Sequence, residues 1–456
     1  MTPRDHTSTS RPGAQPSTPD PAHLLALQRG TALAAERATP LHSDHAGAPA
    51  ALLDAAEAAV ESTAPDLLAL SHDLHAHPEE AFAEHRSVDA LAGLLARHGV
   101  SAEVGAFGVA TSLRATTGSG GPVVAVLAEY DALPGIGHGC GHNVIAASAA
   151  GAFLGLHAVL GGGLGDGLGG GLGTAVLLGT PAEEGGGGKE LMARAGAFEG
   201  VDAVVMLHPF TYDVAVQPFL GRRQVRAAYT GVAAHAAAQP YMGRNALDAV
   251  VAGYSGIAML RQHVPPTDRV HGIVLEGGQR PNIVPERAVA EYYVRSAAPD
   301  TLADLCRRVE AVLVAAAAMT GCGHELRWDP QPAYLPIRAN LQLAARWTLH
   351  QRRRGRTALP PGVVPESLTG SSDLGNVSVR VPAIHPMIAL ADPGTSLHTG
   401  DFAAASVSAA GDAAVLDGAV GLALTALDVV ADAQLRAALR ACVDAAGGVL
   451  MPERTW

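Results

Sequence analysis

Apolar positions in the first half of the chain follow two different periods. Residues 52–99 repeat them at helical spacing and end at a His-Gly pair, which predicts helices. Short apolar runs at 122–128, 174–179 and 203–207 have Gly or polar borders, as buried strands do. The Ala-rich segment 143–160 predicts a helix between the first two strands. Strands that alternate with helices are typical of an α/β domain.

The pattern changes near Gln217, where the long apolar runs stop. Residues 222–230 alternate like a half-buried antiparallel strand. The next segments predict a helix, two strands and a helix, at 245–263, 272–275, 287–295 and 302–319. This order predicts a small α+β domain at 217–328 inserted in the larger domain. The α/β pattern then resumes and runs to an Ala-rich helix at 403–426.

The remaining boundaries follow from composition along the chain. Residues 1–50 are rich in Pro, Ser, Thr and His and predict a loosely ordered N-terminal tail. Residues 51–216 and 329–456 are expected to form the two parts of the α/β domain on either side of the insert. The Gly-rich segment 161–173 predicts a flexible surface connection.

Composition and charge narrow the function classes. The chain has 456 residues and is 48% apolar, enough for a large core, which excludes global disorder. It carries 31 basic and 43 acidic residues, a net charge of −12, so it lacks the basic footprint of a nucleic-acid binder. No uninterrupted apolar run is long enough for a spanning helix, so no membrane partner is expected. Four cysteines make no disulfide scaffold, and a cytoplasmic location is expected.

Polar side chains follow three of the predicted strands. Glu129 and Asp131 come after the first, Glu183 and Glu184 after the second, and His208 directly after the third. Ligands of open α/β sheets bind at the carboxyl ends of the strands. We therefore expect these side chains to contribute to one site.

The first motif with chemical potential is the glycine-rich turn 137–143. Cys140 and His142 lie two residues apart, and the flanking glycines let both side chains face one ion. Thiolate and imidazole are both ligands of first-row metals. The alternative is a small residue and a hydrogen-bonded histidine in a tight turn.

The second motif is the adjacent pair Glu183 and Glu184. Their side chains diverge in an extended or turn segment, so one can bind a metal while the other acts as a general base. The alternative is that they favour the positive end of the helix that follows. The segment 185–189 is no phosphate-binding loop, because Glu183 stands where that motif needs Gly and Glu190 where it needs Ser or Thr.

Two histidines, His208 and His398, complete a set of five ligand-type residues with Cys140, His142 and Glu184. A single histidine at a strand end or in a loop is usually not a ligand. Five ligands, however, are too many for one tetrahedral zinc with an open position, and they suit two metals that share a ligand. The set predicts two divalent ions per chain, and zinc, manganese and cobalt all tolerate such mixed ligands.

Seven motifs resemble those of one protein family in both content and order. They are Leu74-His-Ala-His-Pro-Glu79, Glu129-Tyr-Asp-Ala-Leu-Pro134, the turn around Cys140, Thr180-Pro-Ala-Glu-Glu184, Gly196 to His208-Pro, Ala233-Ala-His235-Ala and Leu397-His-Thr399. The family is the amidohydrolase branch of the clan MH metallopeptidases, and the resemblance covers about residues 52–430. It is nearest to β-alanyl-lysine-type dipeptidases and aminobenzoyl-glutamate hydrolases, because of the second motif and the segment 370–376.

The resemblance implies a role for each matching residue. The five ligand-type residues would hold the metals and Glu183 would be the general base. Asp131 would orient a ligand rather than be one, since Glu129 stands where other branches place a metal-binding histidine. His235 would reach the partner subunit's site and polarise the scissile carbonyl.

The same resemblance implies how substrate and partner bind. Asn282 and Arg295 would hold the carboxylate end of the substrate, although a turn amide and a solvated arginine are their alternatives. The insert would be a lid and dimerisation domain, so a homodimer or higher oligomer is expected. The implied fold is a doubly wound α/β catalytic domain with a mixed sheet and this inserted α+β domain.

The function that follows is hydrolysis of an amide bond in N-acyl amino acids or dipeptide-like small molecules. A metal-activated water would attack, with Glu183 as its base. A non-catalytic metal-binding scaffold or ligand-binding regulator on the same fold is the competing hypothesis. A degenerate member should have lost the base or a ligand, and all six positions are present.

Overall fold

The computed structural model describes residues 17–161 and 171–452. Its helices are α1 (Ala22–Ala35), α2 (Ala50–Ser62), α3 (Ala64–Ala76), α4 (His85–Arg97), α5 (His142–Leu160), α6 (Gly188–Arg194), α7 (Ala246–Leu260), α8 (Pro299–Thr320), α9 (Leu341–Arg353), α10 (Leu374–Ser378), α11 (Gly400–Ala405), α12 (Ala409–Ala431) and α13 (Ala433–Ala445). Its strands are β1 (Ala102–Val104), β2 (Leu113–Gly118), β3 (Val123–Ala128), β4 (Thr174–Gly179), β5 (Ala203–Val205), β6 (His208–Phe210), β7 (Gly221–Thr230), β8 (Arg269–Glu276), β9 (Arg287–Ser296), β10 (Gly323–Trp328), β11 (Ala383–Ile384) and β12 (Met387–Ala389).

The larger domain is built on a mixed sheet, as the sequence predicts. Its strand order is β1-β2-β4-β3-β5-β11, and the four strands from β4 to β11 run parallel. Strand β2 pairs antiparallel with β4, and β1 pairs antiparallel with β2 at the edge of the sheet. The carboxyl ends of β3 and β4 therefore lie side by side, which places the polar segments that follow them at one edge.

The core of this domain lies between the sheet and the long helices α5 and α12, which pack on each other. Both helices are long and apolar enough to cross a membrane by length and composition, but 89% and 83% of their apolar windows are buried in the protein. Burial of this kind is what the core helix of a folded domain shows, so the two segments are weak evidence for membrane insertion.

The insert forms a second sheet with the order β10-β7-β9-β8, and all its neighbouring strands are antiparallel. Helices α7 and α8 cover it and share its separate apolar core. Strand β10 is an addition to the predicted order, since residues 323–328 mix charged and apolar side chains without strict alternation. Six residues of β7 pair with it in unbroken register.

The N-terminal segment differs from the predicted loose tail. Of residues 1–50, those from 17 onward are described, and they include the fourteen-residue helix α1. The backbone nitrogens of Gly47 and Ala48 donate to Asp432 and Asp428 at 3.0 and 2.8 Å. Prolines and small polar residues are scattered through the region, which obscured the helical spacing of a short segment.

Asp428 is the buried residue that binds the N-terminal segment to the larger domain. Its fully buried carboxylate accepts hydrogen bonds from Arg346 Nε and His350 Nε2, both at 2.6 Å, besides Ala48. These partners hold the pKa of Asp428 below its usual value against the opposing effect of burial. Loss of one partner from such a buried pair typically costs about 3–5 kcal/mol. The N-terminal segment that ends near Ala48 is thereby held against α9 and α12.

Three other predictions need correction or fall outside the described residues. The predicted strand 203–207 ends at Val205, and His208 instead begins β6, which pairs with β12 in a separate two-stranded sheet. The predicted helix 403–426 is divided, because Ser408 caps a new helix by accepting from Gly411 N. Most of the predicted flexible connection, residues 162–170, lies outside the described part of the chain.

Candidate active site

A cavity of about 630 Å³ lies where the segments after β3 and β4 meet β6 and the loop 393–398. The predicted residues that line it are Cys140, Glu183, Glu184, His208, Arg295 and His398. His142 is fully buried behind this surface, and its Nε2 lies 3.9 Å from Oε1 of the cavity residue Glu184. The fold thus brings the five predicted ligands and the predicted base together from four separate segments.

The glycines around Cys140 are required by close packing. Gly141 has a φ of +77°, and a Cβ atom there would lie 2.8 Å from Pro209. A Cβ atom on Gly139 would lie 2.8 Å from Ile136. The turn can therefore press against β6 and bring the thiol of Cys140 into the cavity.

Asp131 fixes the orientation of His142. Its Oδ1 lies 3.1 Å from His142 Nδ1, and its Oδ2 accepts from the backbone nitrogen of Glu184 at 2.9 Å. A carboxylate accepts, so Nδ1 carries the proton and Nε2 is left free as a possible ligand. Burial alone would lower the pKa of His142, but Asp131 raises it well above its usual value, so a metal that binds Nε2 must displace a proton there. The orienting role predicted for Asp131 agrees with these contacts.

The two adjacent glutamates follow a strained residue. Ala182 has a φ of +59°, and its backbone nitrogen donates to the buried carboxylate of Glu84 at 2.9 Å. Helix α6 begins only at Gly188, so Glu183 and Glu184 lie outside its first turn. The helix-dipole alternative therefore loses its geometric basis, and a site role is favoured.

His208 has a defined tautomer. Its Nδ1 donates to the carbonyl oxygen of Pro209 at 2.7 Å, which leaves Nε2 unprotonated. Burial, and next the charge of His142, lowers the pKa of His208 to about 4. The ring is thus neutral at physiological pH, the form that binds metals. Sequence reasoning missed His385, whose ring centroid lies 5.4 Å from the ring centroid of His208.

His398 closes the site from a distant part of the chain. Its Nε2 lies 3.1 Å from the sulfur of Cys140, and its backbone nitrogen donates to the carbonyl of Gly139 at 2.9 Å. Its φ is +60°, an unusual value for a non-glycine residue. About half of its side chain, 53%, is exposed. The strained loop delivers the imidazole to the thiol at the mouth of the cavity.

The donor atoms fit two cations. Cys140 lies within 4.8 Å of ligand atoms in two groups, one with His142 and His208 and the other with Glu184 and His398. His142 Nε2 and Glu184 Oε1 are buried without any hydrogen-bond partner. Buried polar atoms are almost always satisfied, and cations bound here would satisfy both of these atoms.

A buried ion cluster that sequence reasoning missed lies beneath the predicted base. Lys189 Nζ contacts Glu129 Oε1 at 2.5 Å and Asp373 Oδ1 at 2.7 Å, and all three side chains are fully buried. Burial, followed by Glu129 and Glu184, raises the pKa of Glu183 well above its usual value. The signal was present, because Glu129 and Asp373 lie in recognised motifs, but nothing in the pattern paired them with Lys189.

The cavity also contains two arginines from the insert. Arg222 and the predicted Arg295 face each other in register across β7 and β9. The Nε atoms of both are buried without a hydrogen-bond partner, and among the described residues neither pairs with a carboxylate. Sequence reasoning missed Arg222. Its guanidinium carbon lies 3.9 Å from the centroid of the Tyr334 ring. The Tyr334 hydroxyl in turn donates to the backbone carbonyl oxygen of Glu183.

The other two predicted residues do not line this cavity. His235 and Asn282 are exposed in neighbouring loops of the insert, after β7 and between β8 and β9, where the backbone nitrogen of Ala236 donates to the backbone carbonyl of Asn282. His235 Nδ1 accepts from the backbone nitrogens of Ala237 and Ala238 at 3.2 and 3.1 Å. A neutral imidazole in this arrangement carries its proton on Nε2, so the exposed nitrogen is a hydrogen-bond donor.

Comparison with known proteins places this geometry in a family. Residues 221–319 match the M20 peptidase dimerisation domain. The chain is 37% identical over 381 residues to Xaa-Arg dipeptidase from Mus musculus, and the match covers 81% of this chain and 87% of that protein. The chain belongs to the M20 peptidase family.

Other relatives agree with this M20 assignment. A p-aminobenzoyl-glutamate hydrolase component from Escherichia coli is 32% identical and is matched over 58% of this chain and 57% of its own length. The solved structure of a dinuclear metal-binding M20 peptidase from Bacillus subtilis shares the fold, with a TM-score of 0.56 and 20% identity over 79% of this chain and 98% of that chain. The predicted family and fold class are confirmed.

This M20 protein is a metal-dependent hydrolase of amide bonds, as the sequence predicts. The alternative of a non-catalytic scaffold is not favoured, because the named relatives are dipeptidases and amidohydrolases. The roles of the individual site residues remain predictions, although the structure brings the predicted ligands to one place.

Replacement of Cys140 by alanine should lower the metal content of this M20 hydrolase. Burial, and next the charge of Glu184, raises the pKa of the Cys140 thiol well above its usual value, so metal must displace a proton there. Wild-type affinity should therefore fall as the pH falls, and Cys140→Ala should weaken that dependence.

Elemental analysis after dialysis at several pH values measures both effects. The matched control is Cys442→Ala on α13, away from the cavity, which should bind metal like the wild type. Equal metal content in the Cys140 and Cys442 variants would remove Cys140 from the ligand set.

Proposed function

We propose that this M20 member hydrolyses dipeptides or N-acyl amino acids with a pair of divalent ions that share Cys140. The observation that carries the proposal is the position of Cys140 in two adjacent ligand groups beside Glu183. His142 and His208 complete one group, and Glu184 and His398 complete the other. Zinc, manganese and cobalt are the candidates for this mixture of S, N and O donors.

Bound there, the two ions would polarise the substrate carbonyl and lower the pKa of the attacking water to about 7. The residues of the chain then have separate tasks. Glu183 takes the proton of the water and later returns it to the leaving amine. The raised pKa of Glu183, caused by burial and then by Glu129 and Glu184, makes this carboxylate a stronger base than an exposed one.

The position of Glu183 is secured by its surroundings. Tyr334 holds its backbone carbonyl at 2.7 Å, and the buried ammonium of Lys189 supplies a positive charge nearby. The backbone of the next residue, Glu184, is held by Asp131. A base that is fixed in this way loses little entropy when it accepts the proton.

The end of the cavity formed by the insert suits a carboxylate. Arg222 and Arg295 present two guanidinium groups that no described carboxylate neutralises. Guanidinium groups bind carboxylates in bidentate fashion. An amino acid or dipeptide can therefore anchor its free carboxylate there while its amide bond lies near Glu183.

The names of the relatives support the same substrate class without fixing its members. One relative is called Xaa-Arg dipeptidase and another p-aminobenzoyl-glutamate hydrolase, so both a dipeptide and an N-acylated amino acid occur among them. Small amides that release an amino acid with a free carboxylate form the class proposed here. A screen of dipeptides and N-acyl amino acids with metal-reconstituted protein tests it.

The proposal includes a homodimer in the cytoplasm. The insert matches a dimerisation domain, and its edge strand and helix would form an isologous contact. The exposed Nε2 donor of His235 would then polarise the scissile carbonyl in the partner's cavity. Four free cysteines support a reducing compartment.

Glu183→Gln should abolish turnover and leave the metal content intact. An amide cannot take the proton of the water, and loss of a general base typically costs about a hundredfold or more in kcat. Glu199→Gln, an exposed residue beyond α6, is the matched control and should keep wild-type kcat. Near-normal kcat in the Glu183 variant would eliminate Glu183 as the base.

Mixing two inactive variants tests the role of His235 across the dimer. His235→Ala should lower kcat by about 10²–10³, as the loss of a transition-state donor does. A mixed dimer of His235→Ala and Glu183→Gln subunits would contain one site with both an intact base and an intact partner histidine, so partial activity should return.

Subunit exchange must be verified by native mass spectrometry before this result is interpreted. If the exchanged mixture is as inactive as its parents, His235 does not act in the partner's site.

A further inference from the structure

Helix α1 reaches the active-site cavity. Leu24, in its first turn, is one of the residues that line the cavity, together with Leu133 and Leu397. The family motifs begin only near residue 52, so α1 belongs to an extension that precedes them. A segment outside the family core therefore contributes directly to the space in which substrate binds.

One face of α1 packs against the catalytic domain. Leu24, Gln28 and Thr31 recur at helical spacing and turn toward the catalytic domain. Thr31 is only 3% exposed, and its side chain lies near that of Tyr212. By contrast, Leu25 and Leu33 on the outer face are 44% and 55% exposed.

Contacts at both ends of the extension hold this face in place. A Cβ atom on Gly394, in the loop before His398, would lie 3.6 Å from the Gln28 amide nitrogen, so the helix packs against that loop. Further along, Gly47 and Ala48 are fixed to Asp432 and Asp428 by their backbone hydrogen bonds. The helix is thus part of the wall of the cavity.

The apolar part of the cavity lining, to which α1 contributes, is chemically different from the two arginines of the insert. Apolar side chains of α1, β6 and three loops line the cavity; they are Leu24, Leu133, Phe210, Leu368 and Leu397. In a substrate whose carboxylate binds the arginines and whose amide lies at Glu183, the acyl group is on the other side of the amide bond from that carboxylate. The apolar wall is the surface that is left to receive that group.

We propose that α1, through Leu24, closes the acyl subsite and limits the length of the acyl or aminoacyl group, so that short apolar groups are preferred. This inference rests on the proposed function, because it assumes that the cavity binds N-acylated amino acids. It assigns a role to a segment with no counterpart in the family motifs. In apolar pockets, one methylene group changes specificity by about 10–200-fold, so a leucine at the wall is large enough to matter.

The test compares N-acetyl-, N-octanoyl- and N-dodecanoylglutamate as substrates of the full-length, metal-loaded protein. Leu24→Ala should raise the ratio of kcat/KM for dodecanoyl over acetyl substrate by about tenfold or more, and Leu24→Trp should lower the ratio for octanoyl over acetyl by a similar factor. The matched controls are Leu25→Ala and Leu25→Trp, on the exposed face of the same helix, which should leave both ratios unchanged.

Deletion of residues 1–37 gives an independent readout, since it removes α1 but keeps the anchored residues 47 and 48. It should shift the ratio in the same direction as Leu24→Ala. Ratios that stay at the wild-type value in both Leu24 variants would overturn the role of α1. Absence of hydrolysis of all three substrates by the wild type would instead count against the proposed function.

Discussion

Burial of negative charge at one point is the constraint on which the rest of the site depends. Glu129, Glu183 and Asp373 bring carboxylate oxygens within 4.8 Å of one another, and all three are buried. Isolated buried charges cost several kcal/mol each, so such a cluster persists only with compensating cations. Lys189 supplies one positive charge, and burial still raises the pKa of Asp373 to about 6. The carboxylates and thiol next to it therefore favour further cations.

Two residues with strained backbone conformations lie in the loops that carry the charged site residues. Ala182 and His398, with φ values of +59° and +60°, lie at the two loops that deliver site residues. Strain of this kind costs about 1–3 kcal/mol per residue and persists only where the surroundings enforce it. Here the carboxylate of Glu84 holds Ala182 and the carbonyl of Gly139 holds His398. The packed sheet and helices thus stabilise a geometry that the loops alone would not adopt.

The sequence predicted most of the site because the ligands lie in short motifs at strand ends. Cys140 and Glu184, for example, follow parallel strands whose carboxyl ends meet at one edge. Contacts between distant segments could not be predicted, because no local period encodes them. Lys189 finds Asp373 across 184 residues, and Arg222 faces the cavity only because β7 pairs with β9. Helix α1 was missed for a related reason, since its order depends on partners far along the chain.

We propose that this acidic and thiol-containing cluster binds two divalent ions that share Cys140 as a ligand. Anomalous diffraction from crystals grown with manganese or zinc tests it most directly. Two peaks per chain are expected, both adjacent to the Cys140 sulfur, one toward His142 and His208 and the other toward Glu184 and His398. A single peak, or two peaks of which neither contacts Cys140, would contradict it.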